Sequence, residues 1–181
     1  MDHELTNTIA LLERTPAALD ALLRGLPAFW TENNEGAGTW NVNGVVAHLA
    51  HCERVDFMPR LRMILASGDS KPFAPLDREA SARSGEGKSL DNLLDEFAAE
   101  RNKNLTELRS FNLTPEDMNR RGLHPLLGPV TLSQLTSTWA AHDITHLHQI
   151  SRIMAHQYRD AVGPWQKFLG VLHCAGHSAP A

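Results

Sequence analysis

Residues 138–156 read TWAAHDITHLHQISRIMAH, and the spacing of the side chains in and around this run decides the fold. Just upstream, Thr131-Leu-Ser-Gln134 fits a capping box, in which the threonine and the glutamine satisfy each other's backbone N–H groups. Leu132, Leu135, Trp139, His142, His146, Gln149, Ile150 and Ile153 then form one stripe at helical spacing. Ala140, Ile144, Leu147, Met154 and Tyr158 form a second. The pattern predicts a helix from Thr131 to about Ala161, where Gly163-Pro164 stops it. A helix apolar on two sides is either central or shared with a second subunit.

Working outward, three further helices are expected. The first covers about residues 3–25 and is interrupted at Thr15-Pro16, where Thr15 can cap a restarted segment. The second runs from about Asn41 to Ala66, with Val45, His48, Leu49, Cys52 and Asp56 on one stripe and a kink at Pro59. The third starts at Ser89 as N-cap and runs to about Phe111; Leu90, Leu93, Leu94, Phe97, Leu105 and Leu108 carry the period and Arg101 interrupts it. A short turn at TPEDM and a loop, RRGLHPLLGPV, lead into the fourth. Between the second and third helices, SGDSKPFAPLDREASARSGEGKS is a long crossover, expected to traverse the end of the bundle. No alternating β-branched run bounded by a hairpin turn is evident. The expected fold is all-α: a four-helix bundle with a long crossover connection, one domain over 1–181.

Hydrophobic residues make up 42% of the chain and charged residues 21%, the composition of an ordinary globular protein. The formal net charge of −4 argues against binding a polyanion, so no nucleic-acid partner is expected. The first residues lack a basic start and an unbroken apolar segment, so neither a secretory signal nor a membrane span is expected. Cys52 and Cys174 suit reduced thiols in the cytoplasm.

Within the deciding helix, His142 and His146 differ by about 40° at about 100° per residue, and Gln149 lies within about 20° of His142. Two imidazoles one turn apart can share a divalent cation. A third must come from elsewhere, and His48, inward on the second helix, is preferred to His51. His148 and His156 point or lie away. The spacing alone is equally compatible with hydrogen-bonded core histidines, since the chain holds ten. His142-Asp-Ile-Thr-His146 also approximates the zinc-protease motif H-E-x-x-H, but aspartate is one methylene short and no third ligand follows at the required spacing.

Thr15-Pro16, Trp40, His48-Leu49 with Glu53, His124-Pro125, the run Gly128 through Trp139, His142-Asp143, His146, Gln149 and Arg152, and Gly163-Pro164-Trp165 together resemble the DinB-like family, and the likeness spans nearly the whole chain. The resemblance implies a four-helix bundle of the DinB/YfiT type, dimeric, with a metal on His48, His142 and His146, zinc or nickel. It implies a metal-dependent enzyme acting on a small molecule, either a hydrolase or a transferase using a low-molecular-weight thiol such as bacillithiol or mycothiol. The alternative is a non-catalytic metal- or ligand-binding stress-response protein. Three neutral imidazoles with an open position are the pattern of a catalytic site. Gln149, His124 and Asp143 are the catalytic candidates. Asp143 and Glu53 could each accept an imidazole N–H, Cys52 reads as a small core residue, and Trp40 and Trp139 as packing around the site.

Overall fold

The computed structural model describes residues 4–174, apart from the side chains at 78, 79 and 82. The expected helix start at residue 3, and both ends of the expected domain, lie outside this range.

The first bundle helix is α1 (Leu5–Leu12) followed by α2 (Arg14–Leu23). The break falls at Glu13 rather than at Thr15-Pro16. Thr15 does not cap; it is buried inside α2, and its hydroxyl has no hydrogen-bond partner. A short α3 (Ala28–Glu32) leads to the second bundle helix, α4 (Val42–Val55), whose N-cap Asn41 accepts from the Gly44 N–H. This helix breaks at Asp56 and resumes as α5 (Phe57–Ser67). The expected kink at Pro59 therefore sits three residues earlier, because the proline ring acts on the carbonyl one turn before it. The third bundle helix is α7 (Leu90–Ser110), capped by Ser89, and the fourth is α9 (Leu132–His156), opened by the Thr131–Gln134 capping box. α9 ends five residues short of the expected Ala161, giving way to turns and a 3-10 segment at Gly163–Phe168. Of the two expected stripes the first is buried apart from half-buried His142, whereas Ile144 and, beyond the end of α9, Tyr158 of the second are exposed.

Helix α4 packs on α7 and α9, α2 on α7, and α1 on α9, which closes the four-helix bundle. Its apolar interior falls into two clusters. One gathers Leu12, Cys52, Phe57, Leu105, Leu108, Leu135 and Trp139; the other gathers Leu19, Leu23, Val45, Leu49, Phe97, Ile150 and Ile153. On α7 and α9 the buried residues between the two clusters are Arg101 and Asn104, and Asp143, His146 and Gln149, and His48 and Glu53 of α4 face them, so a hydrophilic layer crosses the middle of the bundle.

Two features were not legible in the sequence. The crossover holds a six-residue helix, α6 (Arg78–Arg83), which lies against α4 instead of merely rounding the bundle end. After α8 (Pro115–Met118), β1 (Arg121–His124) and β2 (Gly128–Thr131) pair antiparallel as a small hairpin. Phe73 of the crossover is buried beside it and donates its backbone N–H to the Leu123 carbonyl at 2.9 Å. Four-residue strands containing Gly122 and Pro129 carry no alternation to detect. Among the described residues, no helix is long and apolar enough to cross a membrane.

Candidate metal centre

The polar layer brings His48 of α4 together with His142 and His146 of α9. His142 Nε2 lies 3.1 Å from His48 Nε2 and 3.1 Å from His146 Nε2. The three ligand atoms all lie within 4.8 Å of one another, and among the described residues they form the one group of three or more His, Cys, Asp or Glu so arranged. A cation with Zn–N bonds of about 2.0–2.1 Å in tetrahedral geometry implies ligand separations of about 3.3 Å, close to those found here. Burial, then the neighbouring His146 and His48 and the charge of Arg101, hold His142 well below the ordinary histidine pKa. The ring is therefore neutral at neutral pH, and its Nδ1–H tautomer presents a lone pair at Nε2. The donor set fits a divalent cation.

Each ring has a different support. His146 Nδ1 lies 2.7 Å from Gln149 Oε1, so in the tautomer that frees Nε2 the ring donates to the amide oxygen. His48 Nδ1 lies 2.8 Å from the hydroxyl of Ser81, a fully buried residue of α6. The Trp40 ring packs against His48 at a centroid distance of 5.0 Å. His142 Nδ1 is buried and has no hydrogen-bond partner. Its ring and that of Phe57 make a T-shaped contact with centroids 5.3 Å apart, and Phe57 in turn stacks on Trp139. The histidine pair and Gln149 share a face because residues three and four apart on a helix are neighbours. Ser81 is thirty-three positions from His48 and gives no such signal.

Behind the histidines, Arg101 is 2% exposed and answers two buried carboxylates. It bonds Asp143 through both Nη atoms, at 2.6 and 2.9 Å, and Glu53 Oε1 at 2.8 Å. Trp139 Nε1 also donates to Glu53 Oε1, and Asn104 donates to Glu53 Oε2. Every oxygen of this pair of carboxylates is thus engaged, which is what a buried charge requires.

A model of the DinB superfamily matches residues 11–150. The chain belongs to that superfamily. Its fold is similar to that of YfiT from Bacillus subtilis, described as a probable metal-dependent hydrolase with an unusual four-helix bundle topology. The TM-score is 0.67 at 23% identity, covering 84% of this chain and 88% of that one. It is also similar to TT2238, a four-helix bundle protein, with a TM-score of 0.54 at 22% identity over 82% of this chain and 98% of that one. No curated protein matches the chain.

Within this DinB-superfamily bundle, the residues expected at the site divide clearly. His48, His142, His146 and Gln149 converge; His51 is half-buried outside the group and His148 is exposed. Asp143 and Glu53, which could each have accepted an imidazole N–H, are bonded by Arg101 in a buried ion-pair network. Cys52 is core, with Sγ 3.6 Å from His48 Nε2 but outside the three-atom group. His124 ends β1, and its Nδ1 accepts from the N–H groups of Leu126 and Leu127, each at 3.2 Å. That leaves Nε2 as its proton-bearing nitrogen. Burial, then Arg60, lowers its pKa, with Asp56 opposing them.

Proposed function

We propose that this protein is a metal-dependent enzyme acting on a small molecule, with His48, His142 and His146 holding one divalent cation, zinc or nickel, through Nε2. The observation that carries the reading is the convergence of the three nitrogens, with separations of 3.1 Å about His142. A cation held by three neutral imidazoles keeps a coordination position open and supplies Lewis-acid chemistry there. Around it Gln149 and Ser81 hold two of the rings, while Trp40, Phe57 and Trp139 shield them from water. His124, at the end of β1, is the remaining catalytic candidate.

Hydrolysis is the first reaction to test, supported by the fold shared with a protein described as a probable metal-dependent hydrolase. Transfer of a low-molecular-weight thiol is the second, because the same ligands would serve it. The proposal includes a cytoplasmic homodimer, which sedimentation would test; exposed Tyr158, Trp165 and Phe168 offer apolar surface for a second copy. The decisive experiment purifies the protein without nickel resin, measures metal stoichiometry, and assays ester and amide hydrolysis and thiol conjugation to electrophiles. Metal with turnover supports the enzyme. Metal without turnover in any arm favours a non-catalytic binding protein, and no metal at all overturns the reading.

A further inference from the structure

We infer that Ser81 is a positioning residue for His48 and that, through this contact, metal occupancy and the docking of the crossover helix α6 stabilise each other. The inference rests on the metal reading above. Ser81 is fully buried, and its hydroxyl stands 2.8 Å from Nδ1 of the one candidate ligand that α9 does not supply. With the Nδ1 proton directed at that hydroxyl, His48 presents its lone pair at Nε2, toward His142. An oxygen that fixes the far nitrogen of a ligand selects its tautomer and orientation, a contribution of about 10- to 100-fold in metal affinity.

The same contact matters to α6. Six residues are too few to hold a helix on propensity alone, so its docking depends on what it touches. Among the described residues, few other polar contacts tie it to the bundle. Asp77 caps it by accepting from the Ala80 N–H, and Ser84 reaches the Ala47 carbonyl at 3.4 Å. Gly85 makes a close approach, since a Cβ there would lie 2.6 Å from Ala47 Cβ. A segment held this way belongs to the part of a fold that opens most readily. Coupling between two events is reciprocal, so whatever factor Ser81 adds to metal affinity, the bound metal returns to α6 docking. The crossover thereby becomes a reporter of site occupancy.

The test measures Zn2+ dissociation constants by chelator competition, and trypsin nicking after Arg83 with and without Zn2+. Wild type is compared with S81A, S84A and H142A. Ser84 helps dock α6 without touching His48, so S84A controls for loss of docking alone. The expected result is affinity weakened about 10- to 100-fold in S81A and within about threefold of wild type in S84A. Zn2+ should slow nicking in wild type and S84A but not in S81A or H142A. Wild-type affinity in S81A overturns the inference, as does Zn2+ binding that leaves wild-type nicking unchanged. That second measurement needs no variant, so it decides the matter even if S81A fails to fold. Absence of Zn2+ binding by wild type would instead sink the metal reading itself, and this inference with it.

Discussion

Arg101, at the centre of the bundle, donates to the backbone carbonyl of Leu12 at 2.8 Å. In a regular helix that oxygen would accept from the N–H of residue 16, and residue 16 is proline. The discontinuity in the first bundle helix thus leaves an acceptor that the buried guanidinium takes, alongside Asp143 and Glu53. A polar layer at this depth is tolerated because its donors and acceptors find one another.

Replacing Arg101 by Met should be severe, since it leaves two buried carboxylates without their cation. The expected cost is about 3–5 kcal/mol, against less than about 0.5 kcal/mol for Lys103→Ala on the exposed face of the same helix. Urea denaturation of both variants measures it; a loss below about 1 kcal/mol for R101M would contradict the network's role.

Alanine at His48, His142 or His146 should each abolish stoichiometric metal, whereas alanine at His51, His148 or His156 should leave it intact. Elemental analysis of the six variants reads this directly. Zn2+ at about 100 times its dissociation constant should stabilise wild type by about 2.7 kcal/mol, seen as a rise in Tm that H142A lacks.

The two cysteines should differ in reactivity. Cys174 is exposed, whereas Cys52 is buried, and burial, then Asp56 and Glu53, pushes its thiol pKa up. An aromatic disulfide reagent should titrate one thiol in the native protein and both in denaturant. Rapid native labelling of Cys52 would mean that the interior beside His48 opens.

Gly122→Ala tests the hairpin. A Cβ at 122 would lie 2.4 Å from the Phe73 ring and 2.7 Å from Ile64. Both are buried, so the strain should cost about 1–3 kcal/mol. An unchanged urea midpoint would show that the crossover and hairpin separate easily.

The four long helices, the caps at Ser89 and Thr131, and the pairing of His142 with His146 and Gln149 were all legible in the chain, because helical periodicity and capping are properties of residues within a few positions of one another. The bundle and its family also followed from motifs spread along the sequence. The partners of distant residues did not. Arg101 reads as an interruption of an apolar stripe, and the fold makes it the counter-charge for Asp143. Ser81 sat unremarked in a stretch rich in Gly, Pro and Ser, and the fold sets it against His48. Such contacts depend on how helices stack and where a crossover comes to rest, and packing between distant segments leaves no periodic trace in either segment alone.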